Sequence, residues 1–291
     1  MKDIEVDVVS PIYENYDDVS YLYESLKKQK NIILKNVVFP LTIGDKEKTD
    51  KLRQFIKDNN IVSFEVEKKD FVHSLTRQKA IEEYCKSKCI VMLSQDVKIK
   101  DENALYNLVK SIDNDETVHN YGRQICTNHS IERYVRKKNY PDYSWVDSKE
   151  TIKKDIKPFF SSDAFSAYNR DVFIKLGGYN GYKVMMSEDM LYVYFALMAG
   201  YKKGYVSEAV VEHSHKYTIK QLYRRYYANG EFFRDVKLFD KYSTSGGGLR
   251  LALYVLGQSL IHFNIPALIR WLPDMAARYI GMKKGRKAKK E

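Results

Sequence analysis

Cys89-Ile90-Val91-Met92-Leu93-Ser94-Gln95-Asp96-Val97 opens with five apolar residues and then breaks at once into a polar turn. A run that is short and apolar throughout reads as a strand buried on both faces, so Asp96 is expected to emerge at its carboxyl end. Working outward, residues 4–10, 37–43 and 61–66 form β-rich runs of similar length. Between them apolar residues recur at helical spacing: Val19, Leu22, Tyr23 and Leu26, then Leu52, Phe55 and Ile56, then Ile81, Tyr84 and Cys85. Leu105, Leu108, Val109 and Ile112 continue the pattern after Asp96. Four β-α units in order predict an α/β fold built on a parallel sheet covered by helices. In such sheets ligands bind beyond the carboxyl ends of the strands, which directs attention to residues 11–15, Asp45, residues 69–73 and residues 94–97.

The second half has a different texture. A polar, aromatic connection over residues 128–157 leads to a strand around residues 159–168 and a short helix ending at Gly177 and Gly178. Ser187 is expected to cap a helix running to about Gly200, because Leu191, Tyr194, Phe195 and Met198 share a face. A strand over residues 205–211 then delivers His213 and His215, and a long helix is expected over residues 218–242. The Ser-Thr-Ser-Gly-Gly-Gly run at residues 243–248 reads as a flexible joint. It divides the chain into a body, residues 1–242, and a tail, residues 249–291.

Charge follows that division. The formal net charge is +11, and residues 249–291 carry nine Lys and Arg against Asp274 and Glu291, a net of +7 that leaves only +4 for the body. A nucleic-acid reader would spread basic residues over the folded domain, so no nucleic-acid partner is expected. Arg250, Gln258, His262, Asn264, Pro266 and Arg270 interrupt every apolar span long enough to cross a bilayer. Trp271 and Tyr279, followed by six Lys and Arg over residues 283–290, suit an amphipathic segment lying in the interface of an anionic membrane. The alternative is a pair of helices packed on the body. Three cysteines, Cys85, Cys89 and Cys126, cannot all pair, and the first thirty residues contain no uninterrupted apolar stretch. A cytoplasmic protein, peripheral on the inner face of the membrane, is the expectation.

Several residues invite chemistry. Asp96 can join a hard divalent cation to a diphosphate, or serve as a turn residue. Glu188-Asp189 brings carboxylates to a helix start, where the dipole favours negative charge and one of them can act as a general base; acidic first turns are also ordinary. Alternation points His213 and His215 to one side, toward a metal, a phosphate or the core. His73 and Arg77, four apart, can present a donor and a cation to phosphate oxygens from one helix face.

These stretches together carry a resemblance. Residues 7–230 resemble the family 2 glycosyltransferases, especially their bacterial rhamnosyltransferase branch. Val8-Val9-Ser10-Pro11-Ile12-Tyr13-Glu14-Asn15 is similar to the family's first nucleotide-binding strand and loop. Phe71-Val72-His73-Ser74-Leu75-Thr76-Arg77-Gln78-Lys79-Ala80 resembles F-x-H-G-x-T-R-N-x-A, with Ser74 for Gly and Gln78 for Asn. Leu93-Ser94-Gln95-Asp96-Val97 is similar to the T-Q-D-A version of the metal-binding DxD motif, with Ser94 in place of the first acid. Tyr121-Gly122-Arg123-Gln124, residues 160–168, Leu176-Gly177-Gly178-Tyr179, Glu188-Asp189-Met190 and residues 213–218 follow in family order.

The resemblance implies a GT-A fold, a Rossmann-like nucleotide-binding sheet with an acceptor-side half, here followed by the C-terminal amphipathic helical tail. It implies Asp189 as catalytic base, Asp96 as metal-binding acid and His213 as a further metal or diphosphate ligand, with Mg²⁺ or Mn²⁺ as the ion. Pro11, Tyr13, Glu14, Arg77, Gln95 and Asp96 would border the nucleotide-sugar, and Asp163 and Glu188 the acceptor side. The implied reaction is inverting transfer of L-rhamnose from dTDP-rhamnose to a hydroxyl of a saccharide acceptor, lipid-linked, in cell-surface polysaccharide synthesis. A UDP-hexose donor is the alternative within the same chemistry. A catalytically inactive GT-A scaffold and a nucleotidyltransferase are the rivals from other classes; the latter ordinarily shows a Gly-rich phosphate loop, which residues 11–15 lack.

Overall fold

The computed structural model describes residues 3–243 and 246–289. In chain order the elements are β1 (Ile4–Val9), α1 (Tyr16–Lys27), β2 (Ile32–Val38), β3 (Leu41–Ile43), α2 (Lys46–Asp58), β4 (Glu65–Glu67) and α3 (His73–Lys79). Then come β5 (Cys89–Leu93), α4 (Ala104–Asp113), β6 (His119–Ile125), α5 (Glu132–Asn139), β7 (Trp145–Asp147), β8 (Phe165–Asn169) and α6 (Arg170–Lys175). The last are α7 (Glu188–Met198), β9 (Lys203–Glu212), α8 (Ile219–Asp235), α9 (Gly247–Ile261) and α10 (Ile265–Lys287).

Seven strands form one sheet in the order β2-β1-β5-β8-β6-β9-β7. β1 pairs in parallel with β2 and β5, whereas β8 runs antiparallel to both β5 and β6. The strand that opens the sequence argument is thus central, and its alternation shows which side chains go where. Cys89, Val91 and Leu93 pack in one apolar cluster with α1 and α4, while Ile90 and Met92 pack in another with Ala80, Phe173 and Tyr192. Both faces are covered, as the unbroken apolar run requires.

The expected run of parallel strands is corrected in two places, the first being residues 61–66, whose strand is β4 at Glu65–Glu67, outside the main sheet. Residues 37–43 are two strands, because Pro40 has no N–H to donate to a ladder. β2 ends at Val38 in the main sheet, and β3 pairs with β4 in a separate two-stranded sheet. The long helix expected over residues 218–242 also stops early. Thr218 and Gln221 close a reciprocal capping box at the start of α8, and Val236 leaves helical geometry at its end.

The chain forms two compact units. One takes the described residues through Gln124 together with Asp142–Thr151 and Phe159–His213; the other takes Ile125–Pro141, Ile152–Pro158 and the described residues from Ser214 onward. Of the expected joint at residues 243–248, Thr244 and Ser245 lie outside the described residues, Ser243 donates its N–H to the Lys154 carbonyl, and Gly247 starts α9. In the second unit α10 lies against α8 so closely that a Cβ on Gly230, Gly281 or Gly285 would overlap backbone of the opposite helix. Each glycine inside a helix costs about 1 kcal/mol relative to alanine, so the spacing is maintained against propensity. Among the described residues no helix is long and apolar enough to cross a membrane.

Candidate active site

Segments of the first unit converge on one cleft of about 650 Å³, among them the loop after β1, Thr42 of β3, the start of α3, the turn after β5, and Met185 ahead of α7. Pro11, Tyr13, Arg77, Gln95 and Asp96 all line it. Gln95 locks the two strand ends together, accepting the Tyr13 N–H at 2.6 Å and donating to the Tyr13 carbonyl at 3.1 Å. Glu14 is turned aside at φ 53° and lines an adjoining hollow, where it accepts the Asp45 N–H. Two residues that sequence reasoning passed over also line the cleft. Lys68 donates to the Tyr13 hydroxyl at 2.8 Å. Asp18 has its carboxyl pushed up by burial and then by the charge of Asp96.

Asp96 and His213 are brought together by the backbone. Lys98, two residues past Asp96, and Glu212, directly before His213, exchange both N–H···O=C bonds across a β-bridge. The result sets the His213 Nε2 3.4 Å from the Asp96 carboxylate. On the other side of the ring, Nδ1 faces the Gln124 Oε1 at 2.9 Å. Gln124 is itself oriented by donating its amide to the Ser162 hydroxyl at 2.8 Å, so its carbonyl oxygen accepts from the imidazole N–H. That tautomer leaves Nε2 as an acceptor facing a carboxylate. Two acceptors at this separation need a proton or a cation between them, and a carboxylate with an imidazole oriented from behind is a donor set that suits a divalent ion. Gly122, two residues before Gln124, faces the Phe165 ring so closely that a Cβ would overlap it.

A second constellation lies at the start of α7. Arg77 is buried and its guanidinium is engaged by Glu188, with Asp163 at 3.5 Å. Burial works against its charge, but the carboxylates of Glu188 and Asp163 hold its pKa above the ordinary value. Asp163 is buried too, accepting from the Ser166 and Tyr168 hydroxyls at 2.6 Å each. Burial still pushes its carboxyl up. In this arrangement Arg77, Asp163 and Glu188 are spent largely on one another. The backbone N–H of Asp163 donates to Asp189 at 3.1 Å, fixing the neighbouring carboxylate. Asp189 has its pKa raised well above the usual carboxylate range, first by burial and then by the charges of Asp163 and Glu188. A carboxylate so disposed takes up a proton readily, which is the property of a general base.

The departures from the family motif have local reasons. The Ser74 hydroxyl donates to the Tyr182 carbonyl and accepts from Val184, tying α3 to the loop before α7. Gln78 accepts the Tyr179 N–H at the glycine pair that ends the preceding turn.

The model of Glycosyl transferase family 2 matches residues 7–177. The chain belongs to glycosyltransferase family 2. This glycosyltransferase is 30% identical over 292 aligned residues to the O-antigen chain rhamnosyltransferase RfbN of Salmonella typhimurium, covering 97% of this chain and 90% of that one. It is 31% identical to the O-antigen chain rhamnosyltransferase WbaN of Salmonella anatum, over 84% of this chain and 79% of that one. Among solved structures it is similar to the mannosyltransferase PcManGT from Pyrobaculum calidifontis in complex with GDP-Man and Mn²⁺, with a TM-score of 0.65, 13% identity, and coverage of 100% of this chain and 89% of that one. At that identity the likeness shows the fold, and it is GT-A.

Proposed function

We propose that this glycosyltransferase moves L-rhamnose from dTDP-rhamnose, with inversion, onto a hydroxyl of a lipid-linked O-antigen-type precursor. The observation that carries the reading is the pairing of cleft-lining Asp96 with His213, in a chain that aligns over nearly its whole length with an O-antigen rhamnosyltransferase. Pro11, Tyr13, Gln95 and Asp96 border the donor, Glu14 and Arg77 its edges, and Asp163 and Glu188 the acceptor side behind the base.

Asp189 takes the proton of the acceptor hydroxyl as that oxygen bonds to the anomeric carbon. The sugar–phosphate bond breaks on the opposite face and its electron pair leaves with the diphosphate. Asp96 and His213 would hold Mg²⁺ or Mn²⁺, which supplies neutralisation of the diphosphate charge when bound. A positioned base ordinarily contributes about 10² to 10⁴-fold in rate. The metal half of the reading is supported by the donor set and by the Mn²⁺ bound to PcManGT. Residues 1–242 form the catalytic body in this reading, and residues 249–291 keep the enzyme peripheral on the cytoplasmic face of the membrane.

The test is donor hydrolysis and thermal stabilisation with dTDP-rhamnose, UDP-glucose, UDP-galactose and UDP-N-acetylglucosamine, each with and without Mg²⁺ or Mn²⁺. A selective, metal-dependent response to dTDP-rhamnose is the expected result. Selectivity for a UDP-sugar overturns the donor, and silence across the panel brings the scaffold reading forward.

A further inference from the structure

Ten of the nineteen large apolar side chains that are exposed among the described residues fall in residues 249–280, a small fraction of the chain. Monomeric soluble proteins rarely leave apolar surface concentrated in this way without a partner for it. The exposed residues follow helical spacing. On α9 Leu249, Leu253 and Leu260 form a row, with Ile261 beside it; on α10 the row is Ile265, Ile269 and Leu272. Buried residues of the same two helices point the other way: Val255 and Ala267 join Tyr134 and Val135 of α5 in an apolar cluster, and Gly281 and Gly285 meet α8. Each helix therefore has one face packed and one face open.

Charge continues the open face of α10. Tyr279 and Ile280 are followed at the same spacing by exposed Lys283, Lys284 and Lys287. Asp274, the acidic residue within residues 246–289, is buried and engaged by Arg270 at 2.6 Å, so the open face presents no carboxylate. The turn between α9 and α10 adds a third observation. Phe263 is 84% exposed and sits at φ 47°, a left-handed position where Gly or Asn is favoured and a bulky residue is strained. An aromatic side chain held outward at that cost is an anchor for an apolar medium.

The geometry points to the α9–α10 hairpin as a monotopic docking surface for an anionic lipid bilayer, with Phe263 and the open apolar rows sunk below the headgroups and the α10 lysines at headgroup level. This rests on the peripheral-membrane part of the function proposed above and names the surface responsible. The occupant is lipid because apolar rows and an uncompensated cationic end lie on one helix face, the pattern of interfacial helices.

The test is co-sedimentation of the full chain with vesicles of phosphatidylcholine alone and of an equal mixture of phosphatidylcholine and phosphatidylglycerol. Two variants accompany it, Phe263→Ser with Ile269→Ser, and Lys283→Gln with Lys284→Gln and Lys287→Gln. Each lysine near an anionic leaflet is worth about fivefold in partitioning, so the triple variant is expected to bind the mixed vesicles about a hundredfold more weakly. The apolar variant is expected to lose binding to both vesicle types, with dTDP-rhamnose hydrolysis and Tm unchanged in both variants. If the wild type binds the mixed vesicles and both variants bind equally well, this surface is wrong while the peripheral reading stands. If the wild type binds neither vesicle, both fall. A dimer in solution that the apolar variant converts to a monomer, without vesicle binding, assigns the face to a second copy and overturns the proposal.

Discussion

Replacing Arg77 by methionine removes the guanidinium that engages Glu188 and lies 3.5 Å from Asp163, while keeping most of the side-chain volume. Breaking a buried ion pair from one side leaves an uncompensated charge and ordinarily costs about 3–5 kcal/mol. The Ser166 and Tyr168 hydroxyls still hold Asp163, so its backbone position is retained. For a chain of this size the loss corresponds to a drop in Tm on the order of 10 °C. The sign of the pH dependence follows from Asp163, whose folded-state pKa burial already raises. A carboxyl with a raised folded pKa is neutral below its unfolded pKa, and its cost to the fold builds up as pH rises from that value to the folded one. Removing Arg77 raises it further, so the deficit is greatest at neutral pH and shrinks on acidification. Thermal denaturation across pH, alongside dTDP-rhamnose affinity, reads both quantities. A variant that loses donor affinity tenfold or more with its Tm intact would make Arg77 a solvent-facing phosphate contact and refute the buried-hub argument.

The remaining expectations concern the acid, the metal and the second unit. Asp189 is raised well above the usual carboxylate range, first by burial, so the acidic limb of the pH–rate profile should lie above that of an ordinary aspartate; a limb in the ordinary range removes Asp189 as the titrating base. His213→Ala should abolish Mn²⁺ stimulation of donor hydrolysis and Mn²⁺-dependent thermal stabilisation, whereas Gln124→Ala, which frees the ring to turn, should weaken metal affinity by about 10–100-fold; unchanged Mn²⁺ titrations in both would dissociate the pair from metal. Gly285→Ala puts a methyl into the Tyr227 carbonyl, and overpacking of that kind costs about 1–3 kcal/mol, to be measured by urea denaturation; no loss would mean that α8 and α10 are not in such close contact.

The strand leading to Asp96 was legible because its side chains, Cys89 to Leu93, are apolar without interruption, as a strand covered on both faces requires. β1 was legible from its β-branched residues, Ile4, Val6, Val8 and Val9, although Glu5 and Asp7 interrupt the apolar run. Residues 37–43 were misjudged as one strand because the apolar signal passes through Pro40, and a pattern of side chains does not record which N–H groups must be paired. The meeting of Asp96 with His213 was legible only through family order, since the bridge between Lys98 and Glu212 that creates it joins distant segments. Arg77 shows the limit most clearly. Its sequence neighbours allow it to face phosphate or protein, and the choice is made by Glu188, 111 residues away. Gln124 carried a signal in the Gly122-Arg123-Gln124 stretch, but nothing local revealed that its carbonyl orients a histidine.

The most direct test of the account is the turnover of Asp189→Asn from dTDP-rhamnose to a saccharide acceptor, with donor affinity measured in the same preparation. The account predicts turnover lowered by about 10² to 10⁴-fold with donor affinity unchanged, because the amide keeps the contact to the Asp163 N–H and cannot take the proton. Turnover within a few-fold of wild type would contradict it and remove Asp189 from the reaction.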